Sequence, residues 1–191
     1  DINEGVIRRF FVDGIFNPDG QLKENIIPPK PIQKISAGWS LHDSNWFPDF
    51  PASAEKAISF YEKTGGPTVD GVITLTPTIM QKLLSVVGPI AMPQYGIIVD
   101  ADNFIPVLQE QVEVKYDKEL NEPKKILSDL TQMLIEKVFA LQNREMLGRI
   151  AGALVDGLNE KHMLLYMRHS ETQLLIDEVG WSGRVLDTPK D

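Results

Sequence analysis

The sequence predicts an α/β domain: a layered sandwich with a central mixed sheet covered by helices. Three observations carry this expectation. Strand-length runs of β-branched and aromatic residues are mixed with segments of helical periodicity along the whole chain. The hydrophobic fraction of 42% and the charged fraction of 24% are ordinary for a folded domain with a real core. The 191 residues suit one domain over 1–191, and no repeat at solenoid spacing divides them.

Residues 6–16, VIRRFFVDGIF, read as a strand ending at the turn residues Asn17-Pro18-Asp19-Gly20. The IIPPKP segment at 26–31 then forces an extended path. Ser53 is the expected N-cap of a helix with Ala54, Ala57, Ile58 and Tyr61 on one face, closed by Gly65-Gly66. VDGVITLT at 69–76 is a short apolar run of buried-strand length. It leads into a helix capped by Thr76, with Pro77 at the first position and Ile79, Met80, Leu83, Leu84 and Val87 as its stripe, stopping at Gly88-Pro89. A short strand in YGIIVDADN runs into Asp100 or Asp102 as the cap of a less regular helix from Phe104. Two long helical patterns at 123–140 and 145–160 are expected to pair antiparallel. HMLLYM at 162–167 is short enough for a strand, and a closing helix through ETQLLIDEV takes Gly180 as its C′ residue.

The balance of charge narrows the partners. A formal net charge of −8, with no basic stripe able to displace counterions from phosphates, argues against nucleic acid. The absence of cysteine excludes disulfide frameworks, cysteine zinc sites and thiol catalysis, and leaves the compartment open. No apolar run approaches the ~20 residues that span a bilayer, and the start has neither a basic nor an apolar leader region. A chain opening on DINEGVIRRFF reads as a piece of something longer, with a membrane anchor expected outside it.

Phosphate-loop, H-E-x-x-H and G-x-S-x-G motifs are all missing. The densest cluster of chemical groups is LHDSNWFPDFP at 41–51. Asp43, Asn45 and Asp49 offer oxygen ligands to a hard cation such as magnesium, with Asp43 and Asp49 as the carboxylate candidates. The other reading is a rigid corner, in which Asp43 and Asn45 make Asx turns, Pro48 and Pro51 fix φ, and Trp46, Phe47 and Phe50 plug the core. Lys124 and Lys125 open a helix, where lysines and backbone N–H groups together could hold a phosphate, the other reading being two solvated surface charges. His162 and His169 flank a predicted strand and read as structural or surface residues.

The stretches DSNWFPDFP at 43–51, SAE at 53–55, Phe60-Tyr61-Glu62 with Gly65-Gly66, VDGVI at 69–73, LLSVVGP at 83–89, ADN at 101–103, EKHMLLYM and GWSG at 180–183 together resemble a bacterial cell-envelope family catalogued as domain of unknown function 4012. The resemblance covers most of the chain. It implies an extracytoplasmic domain on the outward face of the cytoplasmic membrane, with a membrane anchor and an N-terminal strand region upstream of where this chain starts. More distantly, the element order resembles the LytR-CpsA-Psr family, which moves glycopolymers from polyprenyl pyrophosphate onto the cell wall. That resemblance places Asp43 at the acid beside the phosphate and His42 where the family has a phosphate-binding arginine. Histidine lacks the bidentate fork of arginine, so it should clamp phosphate more weakly. Three functions follow as expectations: a domain binding a lipid-linked or polymeric envelope ligand, a magnesium-dependent phosphotransferase acting on a polyprenyl pyrophosphate, or a scaffold in a surface assembly.

Overall fold

In the computed structural model, residues 2–3, 6–7, 11, 13–113, 125–140 and 143–186 are described. Helices and strands mix along the chain as expected, and the α/β class holds. The central mixed sheet does not. The described strands form three separate two-stranded antiparallel sheets: β1 (Ile2–Asn3) with β2 (Val6–Ile7), β3 (Gly71–Leu75) with β6 (Met163–Met167), and β4 (Ile90–Met92) with β5 (Ile97–Val99). The reason lies after α3 (Pro77–Val87). Gly88 at φ 78° ends that helix, and the chain folds into the β4–β5 hairpin, turned through Gly96 in the left-handed region, instead of returning beside β3. β3 takes its partner from far along the sequence, with Ile73 opposite Leu165.

The first strand expectation also changes. Phe16–Asp19 is a helical turn, α1, preceded by Asp13, whose carboxylate accepts the Gly14 N–H and the Asn17 amide. A strand therefore does not run to Phe16. Near the loop that follows, α2 spans Phe50–Lys63 and is capped by Asp49, not Ser53. Asp49 accepts the Ala52 N–H at 3.2 Å, and Pro51 in the first turn needs no donor. Ser53 is buried inside the first turn, where its hydroxyl accepts the Phe47 N–H and donates to the Phe47 carbonyl. Its hydroxyl stitches the WFPDFP corner to the helix. Thr76 holds the cap position of α3, but its hydroxyl meets His162 Nδ1 at 3.0 Å, tying the end of β3 to the start of β6. Asp100 is the residue that closes the turn before α4 (Phe104–Glu113), accepting the N–H groups of Asp102 and Asn103.

The helices α5 (Lys125–Phe139) and α6 (Arg144–Asn159) match the long helical patterns, but α6 packs chiefly along α3 and not along α5. Gly157 explains the choice. A Cβ there would lie 2.0 Å from Ile79 Cδ1, so only a glycine lets Ile79 of α3 nest against α6. The largest core gathers Leu84, Met92, Val99, Phe104, Leu130 and Leu134 between α3, α4, α5 and the β4–β5 hairpin. A second cluster, Phe50, Ala54, Ile58 and Tyr166, seals α2 onto the β3–β6 sheet.

The closing helix α7 (Ser170–Glu178) ends with Gly180 at φ 74°, as its C′ position requires. Behind it, Asp177 pairs with Arg184 at 2.9 Å and accepts the Gln173 amide at 2.8 Å. Burial pushes the Asp177 carboxyl up, but hydrogen bonds from Ser182 and Gln173 and the Arg184 charge outweigh it, and the carboxyl is held below its ordinary value. A carboxyl lowered in the folded state stabilises the fold above the ordinary aspartate value of about 3.9 and loses that contribution as pH falls through the folded value. Acid melting curves below about pH 4 should therefore be shallower for Asp177→Asn than for the parent; parallel curves would remove this linkage.

Candidate functional site

The loop carrying His42 is held from three sides. Its 3-10 turn, Leu41–Asp43, sits on α1 and α2. The Asp19 carboxylate at the end of α1 accepts the Leu41 N–H at 2.7 Å and reaches His42 Nδ1 at 2.6 Å. On the other side of the ring, His42 Nε2 lies 3.0 Å from the Asp43 carboxylate. Carboxylates only accept, so both contacts are hydrogen bonds only when both ring nitrogens carry a proton. Ser40 Oγ also approaches Nδ1 at 2.9 Å, and Phe16 tilts against the ring. Below, Trp39 donates its indole N–H to the Asp43 carbonyl at 3.0 Å and packs edge-on against Phe60.

The structure thus keeps His42 and Asp43 together and adds Asp19, which sequence reading missed because it sits in the turn assigned to an earlier strand. Asn45 stands exposed in the same loop. Asp49 is spent elsewhere: one oxygen caps α2 and the other accepts the Val185 N–H at 2.9 Å. Lys125 is the exposed first residue of α5, which packs on β4, α3 and α4 and is not among the elements bearing on the His42 turn. Lys124 lies outside the described residues. Among the described residues no three His, Asp or Glu side chains gather to hold a metal ion. Both carboxylates of the expected pair have protein partners: Asp49 accepts the Ala52 and Val185 N–H groups, and Asp43 lies against His42.

A different locus has the shape of a binding site. An open cleft of about 580 Å³ runs between α2 and β6, lined by Glu55, Ile58, Ser59, Glu62, Lys63, Tyr166 and Arg168. Glu55, Ile58, Ser59 and Glu62 recur at helical spacing, which puts them on one stripe of α2. Across from them, β6 supplies Tyr166, and Arg168 follows directly after the strand. Tyr166 donates to Glu55 Oε1 at 3.0 Å and Arg168 to Glu62 Oε1 at 2.6 Å. Burial, then the hydrogen bond and charge of Glu55, push the Tyr166 phenol up, with Arg168 opposing. The phenol stays a neutral donor. Lys63 pairs with Glu24 at the rim. Sequence reading passed over this cleft because its walls are more than a hundred residues apart, although the stripe on α2 was a usable signal.

The fold and these two loci define a mixed α/β domain with small antiparallel sheets and a charge-paired, open polar cleft. Residues 14–112 match the family model described as "Protein of unknown function (DUF4012)", and the chain belongs to that family. The matched span contains the His42 loop, α2, β3, α3 and the β4–β5 hairpin, whereas the EKHMLLYM and GWSG stretches lie beyond it. No curated protein and no solved structure matches the chain. None of these comparisons extends to the LytR-CpsA-Psr family. Among the described residues no helix is long and apolar enough to cross a membrane.

Proposed function

We propose that this chain is the extracytoplasmic, ligand-holding domain of a membrane-anchored bacterial envelope protein, and that it binds a polymeric, hydrogen-bonding envelope ligand such as a glycan chain. The observation that carries the reading is the cleft between α2 and β6. It is open, as a polymer running through it requires, and it presents carboxylates, a guanidinium and a hydroxyl over the apolar floor of Ile58. Sugar hydroxyls both donate and accept, so alternating acceptors and donors on facing walls suit them. The Glu55–Tyr166 and Glu62–Arg168 pairs hold those side chains in place before a ligand arrives, which reduces the ordering cost of binding. The envelope setting is supported by the resemblance of DSNWFPDFP, VDGVI and the other stretches quoted above to a cell-envelope family.

The pyrophosphate-transfer reading draws less support. Its clamp would use His42, whose two ring nitrogens face Asp19 and Asp43, leaving the loop with more negative than positive charge. Its magnesium ligands would already hold protein partners, Asp43 at His42 and Asp49 at the Ala52 and Val185 N–H groups. The test is an NMR titration with soluble cell-wall glycan chains. Resonances of Ile58, Ser59, Glu62 and Arg168 are expected to move, and Arg168→Ala to weaken binding by about tenfold, the effect of losing one charged hydrogen bond of roughly 1.5 kcal/mol. Silence at the cleft, or shifts gathered at His42–Asn45 instead, would overturn the proposal.

A further inference from the structure

We propose, resting on the glycan reading of the α2–β6 cleft, that the chains it takes carry free amino groups and that the Glu55 carboxylate seats a sugar ammonium. The cleft is lined by Glu55, Glu62, Lys63 and Arg168 as its charged groups, and they are paired unevenly. Glu62 accepts from Arg168 at 2.6 Å, and Lys63 turns to Glu24 at the rim. Among the described residues no Lys, Arg or His side chain pairs with Glu55. Its partner is the Tyr166 hydroxyl, 3.0 Å from Oε1. Burial, then the hydrogen bond and charge of Glu55, push that phenol up, so Tyr166 contributes a hydrogen bond and no charge of its own. The neighbouring lysine in the sequence is drawn elsewhere. Lys56 Nζ lies 4.8 Å from the Trp39 ring centroid and 5.8 Å from that of Phe60, against that aromatic pair and outside the cleft lining.

A protonated amine complements such a group. A carboxylate only accepts, and Tyr166 leaves most of the accepting sites of Glu55 open. A sugar hydroxyl also donates to a carboxylate, but it leaves the charge uncancelled, whereas an ammonium brings three donors and the opposite sign. Ser59, one turn further along the same stripe of α2, offers its hydroxyl to the groups beside that amine. The Glu62–Arg168 pair stands two turns, ~10 Å, along the helix from Glu55. An ammonium at Glu55 and hydroxyls at Arg168 therefore belong to different units of one sugar chain. The charge of the whole chain points the same way. At a formal −8 it attracts a polymer bearing several protonated amines and repels one bearing phosphates or carboxylates.

Two short oligomers of equal length, one of glucosamine and one of N-acetylglucosamine, titrated into the protein at about pH 6, where amines are protonated, and followed by NMR, test this. The glucosamine oligomer is expected to bind about tenfold more tightly, to move the resonances of Glu55, Ser59 and Tyr166, and to lose that advantage as salt is added. Glu55→Gln keeps an oxygen for the Tyr166 hydroxyl and removes the charge, so it should bring the two oligomers to equal affinity. Equal affinity in the parent with shifts at Ile58 and Arg168, or a preference that survives Glu55→Gln, would overturn the amine assignment and leave the cleft as a glycan site. No shift at the cleft with either oligomer would overturn the amine assignment and the glycan reading together. Tighter binding of a lysine oligomer of the same charge than of the glucosamine oligomer would overturn the assignment to a sugar.

Discussion

Phe60→Ala is expected to lower the unfolding free energy by about 3–5 kcal/mol, the range for a phenylalanine removed from a tight core. Phe60 is 1% exposed on the inner side of α2. Its ring meets Trp39 at a centroid distance of 5.4 Å and an angle of 72°, an edge-to-face contact worth something beyond area alone. Lys56 lies over the same pair, with its Nζ 4.8 Å from the Trp39 ring centroid. Because the Trp39 indole is what holds the Asp43 carbonyl, the cavity left by alanine would also loosen the His42 turn. Denaturant unfolding should show the loss, tryptophan fluorescence should report Trp39 entering water, and Phe60→Leu should recover much of the stability. A loss under about 0.5 kcal/mol, the size of a surface change, would mean that Phe60 is not the floor of the loop.

The second large effect is expected at Asp49. Asp49→Ala removes a helix cap, worth about 0.5–2 kcal/mol, and leaves the Val185 N–H without its partner. The combined loss should be about 1–3 kcal/mol, since the clasp to Val185 is at the surface and contributes less than a buried bond. Asp49→Asn, which keeps an accepting oxygen, should lose less. The pair of variants separates architecture from metal binding. If Asp49 is a cap and clasp, millimolar magnesium leaves the melting temperature of the parent unchanged. A melting temperature raised by magnesium in the parent and not in Asp49→Asn would restore the metal reading and with it the phosphotransferase.

Asp49 also shows why local reading stopped where it did. Asp49 and Ser53 are both good capping residue types, and the sequence reading took Ser53. The decision came from contacts. Ser53 found both backbone groups of Phe47, and Asp49 found a second role at Val185, which follows the GWSG stretch. Gly183 of that stretch, at φ 62°, lies against Leu164 and Phe50, so the end of the chain is stitched onto the start of α2. In the same way the long helices were legible from periodicity, while the partner of α6 was set by the missing side chain at Gly157. Of the candidate site, His42 and Asp43 were legible as a cluster. Their joint charge was not, because Asp19 enters from α1.

What the sequence by itself determined is the set of short-range features: the presence of the helices and their stops at Gly65, Gly88 and Gly180, the strands β3 and β6, and the α/β class. These depend on propensity and on spacing within a few turns of chain, and such energies act wherever the segment lies. The tertiary structure alone decided which strand pairs with which, which carboxylate meets His42, and that Glu55 and Glu62 should face Tyr166 and Arg168 across a cleft. Those outcomes depend on backbone hydrogen bonds and side-chain contacts between segments far apart in the chain, and no local pattern records where a strand will find its second edge.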